Sequence, residues 1–178
     1  MLSGRAPNSC DWLSEQDLKD IYEPLDFCAY NIYRADVAEG FDYTYTGMPR
    51  TTMDWTITPE CMYHSAKFMY RRYGLPTIIT ENCVACMDLV YEDGKVHDPQ
   101  RSEYLKTHIK NLKRAADEGV PMIGYSCWSF MDNFEWAEGF SKKFGLIHID
   151  YDTLVRTPKK SAFWYKKVME SNGEEIFK

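Results

Sequence analysis

The chain has 178 residues, enough for one domain with a buried core. A net charge of −6 and the lack of any basic stripe argue against nucleic acid as a partner, and no run reaches the roughly 18 apolar residues of a membrane span. Residues 1–30 carry neither the basic end nor the apolar stretch of a secretory leader, so a cytoplasmic protein is expected.

SEQDLKDIY predicts a short helix with Ser14 as its N-cap and acids in its first turn, stopped by Pro24. LDFCAYNIY, residues 25–33, reads as a buried strand, and a polar, Tyr-rich loop runs from there to about residue 57. TPECMYHSAKFMYRRYG reads as a helix, with Thr58 as N-cap, Pro59 at its first position and Gly74 closing it. Met62, Ala66, Met69 and Tyr70 recur at spacings of three and four along it. Leu75 to Thr80 predicts the next strand, and YEDGKVHD a hairpin turning at Asp93-Gly94. Asp98 stands as the cap of a long amphipathic helix that ends at Gly119, with Tyr104, Ile109, Leu112 and Ala116 on its apolar face. VPMIGYSCWSF is a third strand, KFGLIHIDYD a further extended segment, and SAFWYKKVMES the last helix.

Helices and apolar strands alternate through short connections, which is the order of a parallel α/β fold. The strands are apolar without clean alternation, as when both faces are covered. Three such units do not close a (β/α)8 barrel. In such folds the chemistry collects at the carboxyl ends of the strands. Here the three ends carry Asn31 and Tyr33; Glu81 and Asn82; and Trp128 and Ser129, leading into Asp132, Asn133, Glu135 and Trp136.

Glu81 follows TIIT and is costly to bury without partners. It reads either as half of a structural salt bridge or as a nucleophile or general base. Glu135 can accept two hydroxyl hydrogen bonds and the Trp136 indole can donate one, a pairing suited to a sugar ring. An aromatic share of 15% fits a sugar cleft and fits a Tyr-rich core equally. Of the six cysteines only Cys83 and Cys86 are close, and a zinc site would want a second pair, so free thiols are expected. A redox or metal module centred on that C-x-x-C remains the outlying alternative, and no cofactor is expected.

The segments DFCAYNIY, TTMDWTITPE, LPTIITENC, DPQRSEYL and GYSCWSFMDNFEWAEGFSKKFGLIHIDYDTLVRTPKKSAFWY together resemble glycoside hydrolase family 1, the retaining β-glucosidases. The resemblance covers essentially the whole chain but only the C-terminal part of the family's, and it implies an α/β fold: the C-terminal βα units, about strands six to eight, of an incomplete TIM (β/α)8 barrel, with residues 1–178 as one partial domain. It implies that Glu81 is the catalytic nucleophile and that Tyr33 hydrogen-bonds and aims it. Asn31 matches a polar neighbour on the same strand. Trp128 matches the platform under the sugar, Glu135 and Trp136 the residues that hold its hydroxyls, Phe144 a pocket wall, and Trp55 an aromatic near the leaving group. An anionic Glu135 favours a non-phosphorylated hexose in a β-glucoside or related oligosaccharide.

The family's acid/base, the Glu of an N-E-P motif, has no counterpart here, and Glu39, Glu60 and Glu138 lack motif support. The chain alone is therefore expected to be inactive, and the open barrel to aggregate, self-associate or pair with an N-terminal barrel fragment. A non-catalytic sugar-binding or degenerate fragment is the competing reading. Cys83, Cys28 and Asp54 replace family glycines; at positive φ such a replacement costs about 1 kcal/mol or more.

Overall fold

The computed structural model describes residues 13–36 and 47–178. Cys10, Glu39 and the rest of residues 37–46 of the Tyr-rich loop lie outside that range.

Three parallel strands form the centre in the order β1 (Cys28–Asn31), β2 (Thr77–Asn82) and β3 (Met122–Cys127). Ahead of them lies α1 (Glu15–Ile21), which starts at a capping box: the Ser14 side chain accepts from the backbone of Asp17, and the Asp17 carboxylate accepts from that of Ser14. The crossovers run through α2 (Glu60–Tyr73) and α3 (Pro99–Asp117). Gly74 ends α2 in the left-handed conformation, its N–H on the Tyr70 carbonyl. Beyond β3, the antiparallel pair β4 (Ile147–Ile149) and β5 (Arg156–Pro158) leads into α4 (Lys160–Glu170).

Two apolar clusters build the core. Met62 and Ala66 of α2 meet Ile79 of β2 and Leu112 and Ala115 of α3. Tyr104 and Leu105 of α3 meet Cys83, Val84 and Cys86 after β2, and Tyr165 and Val168 of α4. No helix among the described residues is long and apolar enough to cross a membrane.

Four expectations need correction. The segment read as a buried strand over 25–33 pairs only at Cys28–Asn31, and none of its residues is fully buried: β1 has β2 on one side and, among the described residues, no strand on the other. Thr58 does not cap α2; its hydroxyl accepts the Ala35 N–H at 2.8 Å, and Pro59 takes the capping position without a side-chain bond. Asp98 stands at the N-cap position of α3 as read, but its side chain makes no capping bond, because its carboxylate is taken by Arg101 and by Ser161 of α4. Cys83 is not at positive φ, so no glycine penalty arises there; of the replaced glycines only Asp54 stands in that region, at φ 59°.

The ion cluster that holds Asp98 ties three loops together. Arg101 bridges Asp98 and Asp88, with Nη2 at 2.6 Å from the Asp88 carboxylate. The Lys159 ammonium joins Asp88 at 2.6 Å to Asp132 at 2.7 Å. All five side chains are fully buried. Asp132 also accepts the Gly145 N–H at 2.9 Å. A Cβ on Gly145 would stand 2.1 Å from the Asp132 nitrogen, so only glycine permits this approach. The loop after β3 and the segment carrying Phe144 are thereby locked to each other and to the start of α4.

Candidate active site

At the carboxyl ends of the strands, Glu81 is the penultimate residue of β2, half-buried, in register with Asn31 of β1. The Tyr33 hydroxyl donates to its carboxylate at 2.9 Å. Around Tyr33 stand two further aromatic rings: Trp55 at 5.4 Å and Phe144 at 6.0 Å between centroids, with Trp55 and Phe144 6.2 Å apart. The Arg34 guanidinium lies over Trp55 at 5.5 Å. Asn31, Ile32, Tyr33, Arg34 and Trp55 line a hollow of about 280 Å³.

Burial, the hydrogen bond to Glu81 and the charges of Glu81, Glu135 and Cys83 together push the Tyr33 phenol far above its ordinary range. Tyr33 therefore stays protonated and can act toward Glu81 only as a donor. Glu135 thus adds to the negative charge that faces the Tyr33 phenol.

Each wall has its own support. Trp55 follows a tight turn in which Thr51 donates to the Trp55 carbonyl at 2.9 Å and Asp54 takes the left-handed conformation. That turn docks on the loop after β2 through Thr52 N–H to the Ala85 carbonyl, 3.3 Å. Phe144 is buried, and its carbonyl accepts the Ser129 N–H at 3.3 Å. Trp128 continues β3, its N–H on the Asn82 carbonyl at 3.0 Å. Glu135 is half-buried at the head of a 3-10 turn over Trp136–Glu138, its N–H on the Gly139 carbonyl at 2.7 Å.

The structure thus brings Glu81, Tyr33, Trp55 and Phe144 into one cluster. Asn31 lies at the rim, accepting the Thr80 hydroxyl at 2.6 Å. Trp136 is 80% exposed.

Sequence reasoning placed Tyr104 only on an apolar helix face and Asp98 only as a cap, and gave no role to Tyr125 or to the five-membered ion cluster. The signal for Tyr104 and the cluster was present in DPQRSEYL, where Asp98, Arg101, Tyr104 and Leu105 follow the spacing of one helix face, and all four are buried.

Cys83 and Cys86 are both free and buried. Burial pushes the Cys86 thiol up to about 12, which leaves it protonated. Cys83 lies in a core cluster against which Cys127 packs. Among the described residues no group of three or more His, Cys, Asp or Glu side chains could hold a metal ion. A larger hollow of about 420 Å³, between α3, β3 and α4, is lined mainly by apolar side chains such as Ile109, Met122 and Val168 and holds no carboxylate.

Comparison with known proteins shows the family and the fold. Residues 5–174 match the family described as Glycosyl hydrolase family 1. The chain is 42% identical over 169 residues to "Beta-glucosidase A" of Thermotoga maritima, covering 90% of this chain and 38% of that protein. It is 39% identical over 170 residues to "Beta-glucosidase A" of Acetivibrio thermocellus, covering 89% of this chain and 38% of that protein. A solved family 1 β-glucosidase from Thermotoga maritima superposes with a TM-score of 0.84 at 40% identity, covering 92% of this chain and 39% of the other. Another, in complex with glucoimidazole, superposes with a TM-score of 0.81 at 41% identity, covering 89% and 37%. The chain thus spans about two fifths of the length of the relatives it matches, and its fold is that of part of their TIM barrel. With the family matched over nearly all of its residues, the chain belongs to glycosyl hydrolase family 1.

Proposed function

We propose that this chain supplies the nucleophile half of a retaining β-glucosidase site. The observation that carries the reading is the 2.9 Å hydrogen bond from Tyr33 to Glu81 inside an aromatic cluster of Tyr33, Trp55 and Phe144. In the proposed reaction a Glu81 oxygen attacks the anomeric carbon of a terminal β-D-glucosyl unit. The glycosidic C–O bond breaks, and the leaving oxygen takes a proton from a general acid. Water then attacks the glycosyl–Glu81 ester, loses a proton to the same group, and frees the sugar with its configuration retained.

The assisting carboxyl group must stand roughly 5–5.5 Å from the nucleophile. Glu60 opens α2 and Glu138 pairs with Lys142 at 3.4 Å, and both are exposed. Neither is poised for that task, so we assign it to a polypeptide supplying the earlier barrel strands, with β1, β2 and β3 as strands six to eight of one (β/α)8 domain. Glu135, Trp136 and Trp128 would hold the hydroxyls and the face of the sugar, Asn31 would sit beside the nucleophile, and Trp55 would face the leaving group. The anionic Glu135 disfavours a phosphorylated sugar. The buried free thiols Cys61, Cys83 and Cys86 fit the reducing cytoplasm.

The test is complementation. The chain alone should hydrolyse an aryl β-glucoside at least about 100-fold more slowly than when mixed with the N-terminal part of a family 1 relative, since general acid–base help is worth about 10²–10⁴-fold. Full-rate turnover by the chain alone would contradict the missing-acid argument. A folded, mixed complex with no gain in rate would contradict the assignment of the half-site. The exposed Trp136 favours a second reading, a sugar-binding fragment without chemistry. Glucose binding by calorimetry without covalent labelling of Glu81 would support it.

A further inference from the structure

The irregular ends of the strands raise a question that the roles of Glu81 and Tyr33 leave open. The register of β1 on β2 shifts between Tyr30 and Asn31, and that of β2 on β3 shifts between Ile79 and Asn82. The last backbone bond between the first two strands runs from Ile32 N–H to the Glu81 carbonyl, 3.0 Å. Tyr33 therefore lies past the end of the ladder, yet its hydroxyl must meet one oxygen of Glu81.

Side chains take over where the ladder stops. The Tyr104 hydroxyl, reaching up from α3, donates to the Tyr33 carbonyl at 2.7 Å. The Asn82 amide donates one N–H to the Ile32 carbonyl at 2.7 Å and the other to the Tyr104 hydroxyl at 3.3 Å. Its oxygen accepts from the Tyr125 hydroxyl of β3 at 2.8 Å. Both N–H groups and the oxygen of the amide are thus satisfied, and Asn82 and Tyr104 are buried. The chain segment Ile32–Tyr33 is held at two successive carbonyls by groups from β2 and α3.

The geometry points to Tyr104 as a positioning residue: its hydroxyl fixes the Tyr33 backbone so that the Tyr33 phenol aims Glu81. Tyr104 touches neither substrate nor the reacting carboxylate; it acts through Tyr33. The assignment rests on Glu81 being the nucleophile.

The experiment follows covalent trapping of Glu81 in the 178-residue chain by 2,4-dinitrophenyl 2-deoxy-2-fluoro-β-D-glucoside, a probe whose leaving group needs no acid. Tyr104→Phe keeps the ring and removes the hydroxyl. It should lower the limiting trapping rate about 10–100-fold, the scale of a sub-ångström to 1 Å misplacement, with the half-saturating concentration little changed. Tyr165→Phe is the control: Tyr165 sits in the same core cluster and its hydroxyl makes no hydrogen bond among the described residues, so its variant should trap at the parent rate. A purely structural role for Tyr104 would lower the melting temperature and leave the trapping rate alone, and that result overturns the proposal. Should Tyr104→Phe not fold, Tyr125→Phe loosens Asn82 from the far side and should slow trapping about 3–10-fold; an unchanged rate again overturns the proposal. If the parent chain is not trapped at Glu81, the nucleophile assignment is what fails. Crystal structures of the parent and Tyr104→Phe then decide the positioning: a Tyr33–Glu81 contact lengthened from 2.9 Å to beyond hydrogen-bond reach supports it, and an unchanged contact overturns it.

Discussion

Lys159→Met removes one charge from the centre of the buried ion cluster and keeps the aliphatic stem. In the parent, the ammonium makes two charge-assisted bonds, 2.6 Å to Asp88 and 2.7 Å to Asp132. Asp88 retains Arg101 after the substitution, but Asp132 keeps only the Gly145 N–H and His148, whose Nδ1 stands 3.4 Å away without a well-formed bond. Bonds to charged groups contribute about 1.5–3 kcal/mol each, and stripping one partner from a buried pair costs about 3–5 kcal/mol. We expect a loss of about 4 kcal/mol, which at about 2–4 °C per kcal/mol for a chain of this size lowers the melting temperature by about 8–16 °C. Urea unfolding followed by circular dichroism gives the free energy, and calorimetry the temperature. Lys113→Met provides the contrast: Lys113 pairs with Asp117 at 2.6 Å but is 45% exposed, and its loss should cost under about 1 kcal/mol. Adding Asp132→Asn to Lys159→Met should restore part of the loss, because it neutralises the stranded carboxylate. Equal, small effects of Lys159→Met and Lys113→Met would refute the idea that the cluster locks the loops.

Burial and close packing elsewhere in the fold give two further expected outcomes. The His108 ring stacks on Tyr104 at 3.6 Å and its Nδ1 bonds the Tyr104 carbonyl at 2.7 Å, while Nε2 is buried without a partner; burial pulls the imidazole down to about 4. The unfolded chain, with an ordinary value of about 6.5, then binds more protons between these values, so stability is full above pH 6.5 and falls toward pH 4 by up to about 3 kcal/mol. His108→Leu should flatten that part of the stability–pH curve, and an unchanged slope from pH 6.5 to 4 would show that the ring is not held neutral. Gly145→Ala places a Cβ 2.1 Å from the Asp132 nitrogen and 2.2 Å from the Met131 carbonyl carbon, both backbone atoms, and should cost at least the roughly 3 kcal/mol at the top of the ordinary overpacking range. Gly94→Ala, at φ 72° but in open space, should cost only about 1 kcal/mol in the same unfolding assay.

The elements legible in the sequence are those whose signals are local. Ser14 caps α1 as read, Gly74 closes α2, the Asp93-Gly94 turn brings Val90 and Val96 together, and Met62, Ala66 and Leu112 face the core as their periodicity requires. The errors arise where a distant partner competes for a local group. Thr58 and Asp98 both have the chemistry of an N-cap, yet Ala35 claims one and Arg101 with Ser161 the other. The apolar run at 25–33 shows that its residues can be buried but cannot count the strands beside it; Leu25 and Phe27 remain exposed. Lys159 and Asp88 lie 71 residues apart and leave no periodic trace of their contact. The Tyr33–Glu81 pair, 48 residues apart, was legible only through resemblance, because no spacing rule joins the ends of two different strands.

The central claim is that Glu81 is a nucleophile aimed by Tyr33, and peptide mapping after incubation with the dinitrophenyl fluoroglucoside tests it most directly. The account predicts a single covalent glucosyl adduct on Glu81, lost in Glu81→Gln and slowed in Tyr33→Phe. An unmodified Glu81 in a folded chain that binds the probe, or an adduct on another carboxylate such as Glu135, would contradict it.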